Sequence, residues 1–212
     1  MIIGLVGLIG SGKDTAADYL VNNKNFQRDS FAAPLKDAVA NIFGWDRSLL
    51  EGTTTVSRDW REQVDPWWAQ RLDIPELTPR WVLQKWGTEV GRQGFHNDVW
   101  VASLEHRVRS NATNVIITDC RFPNEIAAIH RSGGRVWRIQ RGADPAWVQE
   151  ALDYLDFPAD SPPPDIPHQS EWAWMASPID GVIYNDATIE DFQNAIDNAL
   201  SIHYNDTTLT KE

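Results

Sequence analysis

The stretch Gly7-Leu8-Ile9-Gly10-Ser11-Gly12-Lys13-Asp14-Thr15 decides the fold of this chain, and it directly follows the apolar run Ile2-Ile3-Gly4-Leu5-Val6. This order predicts a strand that breaks into a glycine-rich turn and then opens a helix, which is the context of a phosphate-binding P-loop. Glycines let the backbone bend tightly and turn its N–H groups inward, and the positive end of the helix adds to the attraction for polyphosphate. The Lys13 ammonium is then expected to reach the β- and γ-phosphates. The alternative is an ordinary glycine turn beside a surface lysine, and the position directly after an N-terminal strand argues against it.

The residue after the lysine departs from the commonest P-loop, in which a Ser or Thr places its hydroxyl on Mg²⁺. Here Asp14 holds that position and the hydroxyl comes one residue later, at Thr15. The Lys-x-Thr order resembles nucleoside monophosphate kinases, in which a glycine usually separates the two residues. A carboxylate beside a triphosphate repels it unless a cation lies between them. Two roles for Asp14 therefore stay open: it helps to hold Mg²⁺ through water, or it faces away and caps the helix N-terminus.

Composition limits the classes of function. At 212 residues, with 42% apolar and 23% charged residues, the chain suits one compact domain. The net charge of −11 argues against broad binding to the nucleic-acid backbone, so no nucleic-acid partner is expected. The one cysteine, Cys120, excludes an internal disulfide and indicates a reducing cytoplasm. No apolar stretch approaches membrane-spanning length, so no membrane partner is expected. A homodimer stays open, because an exposed face among the eleven tryptophans would suit one.

Apolar β-like runs alternate with amphipathic stretches along the chain, which predicts an α/β fold with a parallel sheet covered by helices on both faces. The predicted strands are 2–6, 26–31, 115–118, 135–140 and 181–184. The predicted helices are 13–23, 32–43, 81–91, 99–109, 124–131, 146–154 and 188–202. Residues 44–77 are expected to be irregular and residues 205–212 to be disordered. The proline-rich segment inside 142–179 is expected to leave the sheet as an excursion over the active site.

Five blocks of sequence resemble the tailed-phage deoxynucleoside monophosphate kinases, and they run in order across most of the chain. The most specific is Thr-Asp-Cys-Arg-Phe-Pro-Asn-Glu at 118–125. The others are Gly-Ser-Gly-Lys-Asp-Thr at 10–15, Ser-Phe-Ala-Ala-Pro-Leu-Lys at 30–36, Leu-Gln-Lys-Trp-Gly-Thr-Glu-Val-Gly-Arg at 83–92, and His-Gln-Ser-Glu at 168–171. Residues 44–77 and 142–165 are the least supported part of the resemblance.

The resemblance implies a P-loop kinase fold with about five parallel strands in a single domain over residues 1–204. Within it, the resemblance implies a helical monophosphate-binding region at about 32–111 and a lid at about 141–179. The implied activity is Mg²⁺-assisted phosphoryl transfer from ATP to a deoxynucleoside monophosphate, which supplies precursors for phage DNA synthesis in the host cytoplasm. Positioning, charge neutralisation and exclusion of water are what such a transfer requires.

The donor side of the expected site consists of the loop and of the turn after the last strand: Gly10, Ser11, Gly12, Lys13, Asp14, Thr15, Asn185 and Ala187. For that turn, capping of the final helix by Asp186 or Thr188 is an equal alternative. Asp119 follows the strand 115–118, and ligands of open parallel sheets bind at the carboxyl ends of strands. Asp119 is expected to bind Mg²⁺ through water or to orient the acceptor phosphate, with a helix cap as the alternative. The predicted metal ligands are Thr15, Asp14 and Asp119.

On the acceptor side, Arg121 is the first candidate for binding the monophosphate, and a surface salt bridge is its alternative role. The resemblance adds further monophosphate-binding candidates: Lys36, Arg80, Gln84, Thr88, Arg92, Trp100, Glu125 and Glu171. His168 and Ser170 are expected to close the lid together with Glu171. The family pattern favours Arg141 as the catalytic lid arginine beside Lys13, Asp119 and Arg121, although spacing alone does not separate it from Arg131, Arg135 and Arg138.

Two other functions fit the loop. One is a dephospho-coenzyme A kinase or another small-metabolite kinase, which would share the loop, the strand-end Asp119 and the lid. The other is a P-loop ATPase or nucleotide-binding regulator, against which the acidic balance and the lack of a basic track argue. The accepted base and the choice between ribose and deoxyribose stay undecided.

Overall fold

The computed structural model of the protein describes residues 1–109, 113–158, 162–163, 165–167 and 169–209. Its contacts divide the chain into two compact units. The first unit is formed by Met1–Ser30 together with Glu105–Glu212, and the second by Phe31–Leu104. The second unit covers most of the region, about 32–111, that is predicted to bind a monophosphate, and that role stays a prediction.

The first unit is built on a sheet of five parallel strands: β1 Ile2–Val6, β2 Phe26–Asp29, β3 Asn114–Ile117, β4 Arg135–Gln140 and β5 Gly181–Tyr184. The strand order β2-β3-β1-β4-β5 places β1 in the middle. Ile3 is aligned with Ile116 of β3 on one side and with Arg135 of β4 on the other. The P-loop therefore leaves the centre of the sheet at its carboxyl edge. The predicted parallel α/β fold is confirmed.

Nine α-helices follow in chain order: α1 Lys13–Asn23, α2 Ala33–Phe43, α3 Thr55–Arg61, α4 Pro66–Leu72, α5 Pro79–Lys85, α6 Val99–Arg109, α7 Pro123–Arg131, α8 Trp147–Asp156 and α9 Ile189–Leu209, counted over the described residues. The chain also forms a π-helix, Trp86–Gln93, and short 3-10 turns at Leu49–Glu51, Gln169–Glu171 and Ala173–Ala176. None of the helices in the described part of the chain is long and apolar enough to cross a membrane.

Helices cover both faces of the sheet because successive side chains of β1 point to opposite sides. Ile3 and Leu5 are fully buried and pack with Leu20 of α1 and Phe192 of α9. On the other face, a Cβ at Gly4 would lie 2.4 Å from Ile129 Cδ1, so α7 packs directly on the backbone of β1. Burial of these apolar side chains supplies the main stabilisation of the first unit.

The second unit corrects the prediction that residues 44–77 are irregular, because α3 and α4 lie inside that range. Thr54 caps α3 by accepting from the backbone N–H of Ser57 at 3.1 Å. Asp65 caps α4 by accepting from Trp67 and Trp68. These caps satisfy N–H groups that a short helix leaves unpaired. The core of the unit consists of buried aliphatic side chains surrounded by half-buried tryptophans: Leu35, Val39, Leu50, Leu77 and Val82, with Trp45, Trp60, Trp68, Trp81, Trp86 and Trp100.

Several elements differ from prediction by one or more residues at their ends, and one predicted helix is divided. Strand β2 ends at Asp29 and not at residue 31, and the predicted helix 81–91 is divided into α5 and the π-helix. The last helix, predicted to end at residue 202, continues to Leu209. It therefore enters the segment 205–212 that was predicted to be disordered, since extending an existing helix costs much less than starting one. Residues 210–212 lie outside the described residues.

Asp180, directly before β5, connects that strand to β4 and α7 through hydrogen bonds at the amino edge of the sheet. Its carboxylate accepts from the backbone N–H of Val136 at 2.7 Å, from Arg135 at 2.7 Å and lies 2.9 Å from His130 Nε2. Burial by itself raises the pKa of Asp180, but these hydrogen bonds and the charge of His130 outweigh burial and hold its pKa below the ordinary value of 3.8.

We expect Asp180→Asn to lower the free energy of unfolding by about 1–3 kcal/mol at pH 7, since it removes a charged hydrogen-bond acceptor. A carboxyl whose pKa is lower in the folded than in the unfolded protein stabilises the fold above its unfolded pKa. That contribution is lost as the pH falls through the folded-state pKa, so the difference between wild type and variant should shrink below about pH 4. Urea unfolding at several pH values measures it, with Glu76→Gln, which removes an exposed carboxylate, as the control. A difference that does not change with pH would contradict this role.

Candidate functional site

The P-loop has a backbone that only glycine adopts easily. Gly7, Gly10 and Gly12 have φ values of +140°, +79° and +106°. Two of the three are also closely packed: a Cβ at Gly7 would lie 2.3 Å from the carbonyl oxygen of Ile139, and a Cβ at Gly12 would lie 2.4 Å from Asn185 Nδ2. The loop thus packs against the ends of β4 and β5, which leave no room for a side chain at positions 7 and 12.

Lys13 lies inside the loop. Its ammonium donates to the carbonyl oxygens of Gly7 at 2.7 Å and Leu8 at 2.9 Å. Burial lowers the pKa of Lys13, and the positive charge of Arg121 lowers it further, while Asp14 and Glu171 act in the opposite direction. A partly desolvated cation beside a second cation is a favourable place for a polyanion. Because α1 begins at Lys13, its first N–H groups lack intrahelical acceptors and face the same space.

Asp14 faces away from the loop, as in the second of the two roles that the sequence left open, but its carboxylate accepts from Arg28 and does not cap the helix. Its side chain is 73% exposed and forms an ion pair with Arg28 at 3.3 Å. Thr15 is exposed in the first turn of α1. Among the described residues, no group of three or more His, Cys, Asp or Glu could hold a metal by itself.

Asp119 lies two residues beyond β3, at the carboxyl edge where the P-loop also begins. Gly4 is aligned with Ile117, so the same register extended by two residues brings Asp119 beside the end of β1. The carboxylate is half-buried. The neighbouring Cys120 is buried, and burial, followed by the negative charges of Asp119 and Glu125, raises its pKa well above the ordinary value. Its thiol stays neutral and packs in the core.

Arg121 is held by the segment that carries Glu171. Its guanidinium donates to Glu171 Oε1 at 2.8 Å and to Ser170 Oγ at 3.4 Å. Glu125 is 3% exposed and accepts from the backbone N–H groups of Arg121 and Phe122 at 2.8 and 3.2 Å. Glu125 therefore fixes the backbone that carries Arg121, whereas contact with a monophosphate stays a prediction. The third predicted lid residue, His168, lies outside the described residues.

Two of the four candidate lid arginines lie at the wrong edge of the sheet. Arg131 ends α7 and forms an ion pair with Glu105 at 2.8 Å. Arg135 begins β4 and forms an ion pair with Asp180 at 2.7 Å. Both therefore lie near the amino end of β4, away from the carboxyl edge at which the P-loop begins.

The other two lid candidates lie beside the P-loop. Arg138 and Arg141 line a pocket of about 170 Å³ together with Leu8–Ser11 of the loop. Arg138 is paired with Asp144, and its guanidinium lies 5.3 Å from the centre of the Trp174 ring. Arg141 is exposed and forms no ion pair within the part of the chain that the structure describes. The family pattern and the geometry thus favour the same residue, Arg141.

Asn185 connects the turn after β5 to the loop. Its side-chain amide donates to the carbonyl oxygen of Ser11 at 2.9 Å, and its backbone N–H donates to Gln140 at 2.8 Å. Ala187 is exposed. Thr188 and Asp191 exchange hydrogen bonds at the start of α9, so the capping alternative also holds. The contact of this turn with a donor base stays a prediction.

In the second unit, two of the predicted phosphate ligands are already paired. Lys36, whose side chain is 13% exposed, forms an ion pair with Glu51 at 2.7 Å, and Arg47 shares that carboxylate. Burial raises the pKa of Glu51, but the hydrogen bonds and charges of Lys36 and Arg47 outweigh it and keep the pKa low. Arg80 pairs with Glu62 at 2.6 Å in an exposed position.

The remaining candidates of the second unit lie on or beside the π-helix. Gln84 and Thr88 are exposed. Arg92 donates to the carbonyl oxygen of Asn97 at 3.2 Å. The indole of Trp100 donates to Gly87 at 2.9 Å and packs against Gly91, where a Cβ would lie 2.5 Å from Trp100 Cζ2. Trp100 therefore has a packing role, and stacking on a base stays a prediction. π-Helical turns are rare and occur frequently at functional sites.

Sequence reasoning missed Arg61. Its Nε is buried and has no hydrogen-bond partner, and the guanidinium forms no ion pair with any described residue. The available signal was the pair Arg58 and Arg61 on one face of a helix that begins with a Thr-x-x-Ser cap. That signal was lost because the segment was expected to be irregular.

Comparison with known proteins gives two relatives by sequence. The chain is 30% identical over 210 residues to a protein of Acanthamoeba polyphaga mimivirus that is provisionally named a deoxynucleotide monophosphate kinase, and the match covers 92% of this chain and 94% of that protein. It is 28% identical over 174 residues to the deoxynucleoside-5′-monophosphate kinase of Escherichia phage T5, over 59% of this chain and 70% of that enzyme. No protein-family model matches the chain.

Solved structures resemble the chain more weakly. A shikimate kinase from Aquifex aeolicus superposes with a TM-score of 0.46 at 16% identity, covering 95% of this chain and 96% of that chain. A dephospho-CoA kinase from Campylobacter jejuni superposes with a TM-score of 0.42 at 12% identity, covering 94% and 95%. Likenesses as weak as these identify neither a substrate nor an activity for this chain.

The packing of the loop predicts different costs for two glycine substitutions. Gly10→Ala places a Cβ in open space and should lower the free energy of unfolding by about 1–2 kcal/mol, the cost of a left-handed alanine. Gly12→Ala should have the same backbone strain and, in addition, a steric clash with Asn185. It should therefore lower the free energy of unfolding by about 1–3 kcal/mol more than Gly10→Ala. Urea unfolding measures both. Adding Asn185→Ala to Gly12→Ala should recover part of the loss, and equal costs for the two glycines would contradict the close approach.

Proposed function

Since this chain belongs to the deoxynucleoside monophosphate kinase family, we propose that it transfers the γ-phosphoryl group of ATP to a deoxynucleoside monophosphate and so supplies precursors for DNA synthesis. The family resemblance that the five sequence blocks indicated is confirmed by the mimivirus relative. Comparison of the four deoxynucleoside monophosphates as acceptors determines which base is used.

One observation carries the proposal beyond the family. Lys13 and Arg121 place two positive charges where the N–H groups at the start of α1 are unpaired. Lys13 is held by carbonyl oxygens and not by a carboxylate, since Asp14 turns outward to Arg28, whereas Arg121 is paired with Glu171. A triphosphate supplies the missing negative charge, and a preorganised set of donors stabilises charge that develops on the transferring group.

On the donor side, we assign the triphosphate to Gly10–Gly12, Lys13 and Thr15. Asn185 holds the loop by its bond to Ser11, and we assign Asn185 and Ala187 to the donor base. Thr15 and, through water, Asp119 would hold Mg²⁺, which when bound neutralises charge on the β- and γ-phosphates. Arg141 is free to move onto the transferring group, because it forms no ion pair with the described residues.

On the acceptor side, we assign the monophosphate first to Arg121, which would exchange Glu171 for the phosphate. The second unit supplies the remaining candidates that the resemblance implies: Lys36, Arg80, Gln84, Thr88, Arg92 and Trp100. Exposed Gln84 and Thr88 carry the amide and hydroxyl groups that can recognise base edges. We further propose the host cytoplasm as the place of action, and a homodimer stays an open prediction.

A coupled ADP-release assay tests the proposed reaction. With ATP and Mg²⁺, rapid ADP release is expected with at least one of dAMP, dCMP, dGMP and dTMP, and slow release without an acceptor. Turnover with dephospho-coenzyme A alone would replace the proposal with a small-metabolite kinase. ATP hydrolysis that is equally fast without any acceptor would replace it with an ATPase.

Lys13→Ala should lower kcat about 10²–10³-fold or more, because it removes a charge that is positioned on the transferring phosphate. The matched control is Lys24→Ala. Lys24 directly follows the same helix, α1, and forms an ion pair with Asp197. The control should keep kcat within about twofold, since exposed ion pairs contribute little. The same assay measures both variants. A Lys13→Ala enzyme with near-normal turnover would remove the P-loop from the mechanism.

A further inference from the structure

We propose that Arg61, seated against Gly52, binds the phosphate of the acceptor nucleotide in the second unit. The inference rests on the proposed function for the identity of the ligand. It adds a phosphate-binding residue in a segment for which the sequence resemblance gives the least support.

The surrounding backbone determines the position of the Arg61 side chain. Gly52 ends the 3-10 turn Leu49–Glu51 with φ +68°, and a Cβ there would lie 2.0 Å from Nη2 and 2.1 Å from Cζ of Arg61. The guanidinium therefore lies directly on the glycine backbone. Arg58 donates to the carbonyl oxygens of Gly52 and Thr53 at 3.1 Å each and holds the same turn. The absence of a side chain at Gly52 is what makes room for Arg61.

Arg61 also differs from its neighbours in its partners. Arg80 pairs with Glu62, and Lys36 and Arg47 share Glu51. Arg61 forms no hydrogen bond or ion pair with the described residues, and its Nε is buried without a partner. The buried Nε is closed to solvent, so a ligand would reach Nη1 and Nη2, which also have no partner among the described residues. Phosphate oxygen atoms at Nη1 and Nη2 would supply the acceptors that this guanidinium lacks.

The charge around Arg61 favours an anion. Burial lowers the pKa of Arg61, and the positive charges of Arg80 and Arg58 lower it further. Glu62 and Glu51 act in the opposite direction and do not offset this effect. The local excess of positive charge occurs in a chain whose net charge is −11. A phosphate monoester supplies up to two negative charges and planar pairs of oxygen atoms that match a guanidinium.

A purely structural role is the competing explanation, because Arg61 ends α3 and a cation there interacts favourably with the helix dipole. That role would change the stability of the unit and leave the affinity for nucleotide unchanged. Kinetic constants for the acceptor therefore separate the two explanations, provided that stability is measured in parallel.

The first test replaces the arginine. With the monophosphate that wild type uses best, Arg61→Gln should raise KM for that monophosphate tenfold or more, roughly the value of a charged hydrogen bond. KM for ATP should change less than about twofold. Arg61→Lys should have a KM for the monophosphate between those of wild type and Arg61→Gln, since an ammonium cannot form a bidentate pair. Arg71→Gln, which removes an exposed arginine of α4, is the control and should leave KM for the monophosphate within about twofold.

The second test uses two glycines with the same backbone conformation. Gly52 and Gly44 both have φ +68°, but a Cβ at Gly44 meets nothing within 4 Å. Gly52→Ala and Gly44→Ala therefore share the backbone strain, and Gly52→Ala alone displaces Arg61. We expect Gly52→Ala to raise KM for the monophosphate at least threefold and Gly44→Ala to leave it unchanged. This pair keeps the proposal testable if Arg61→Gln fails to fold.

The outcomes separate this inference from the proposed function. If wild type phosphorylates a deoxynucleoside monophosphate while Arg61→Gln, or Gly52→Ala relative to Gly44→Ala, leaves its KM unchanged, the inference is overturned and the function stands. If wild type has no kinase activity, calorimetry with inorganic phosphate decides: binding that Arg61→Gln abolishes supports an anion site at Arg61. Phosphate binding that is absent, or equal in both proteins, overturns that site.

Discussion

The close approach of two strand ends to the P-loop backbone is the constraint on which the first unit depends. The carbonyl oxygen of Ile139 lies where a side chain at Gly7 would be, and Asn185 lies where one at Gly12 would be. Asn185 also donates to Ser11, so the loop is bonded to the turn beyond β5 as well as packed against it. The loop is therefore held in its phosphate-binding conformation by β4 and β5, and little reorganisation is needed when a nucleotide binds.

Pairing of charges distinguishes the cations that stabilise the fold from those available to ligands. Arg28, Lys36 and Arg135 each face a carboxylate at 3.3 Å or less. Lys13 differs, because its ammonium donates to two uncharged carbonyl oxygens and not to a carboxylate. Arg61 has no acceptor among the described residues. Phosphate groups compensate cations of this second kind without breaking an existing ion pair, which lowers the cost of binding.

The strands and helices of the first unit were predicted to within a few residues. The apolar residues of strands such as β4 and helices such as α7 follow a clear pattern with distinct ends. The second unit was predicted less well. Helices α3 and α4 have seven residues each, too few to show a helical period. Their caps, Thr54 and Asp65, were visible in the sequence, but a cap predicts a helix only when an apolar pattern comes after it. The π-helix could not be predicted, since its turn is set by packing such as that of Trp100 on Gly91.

The sequence by itself determined that a strand, a glycine loop and a helix succeed one another at residues 2–23, and it predicted Lys13 as part of a phosphate site, because these properties are local and depend on neighbouring residues. Only the tertiary structure decided which arginines are paired and which are available. Arg135 and Arg141 look alike in the sequence, yet Arg135 pairs with Asp180 at the far edge of the sheet and Arg141 lies beside the P-loop. The physical reason is that an ion pair joins residues distant in the chain, and their distance is set by the fold as a whole.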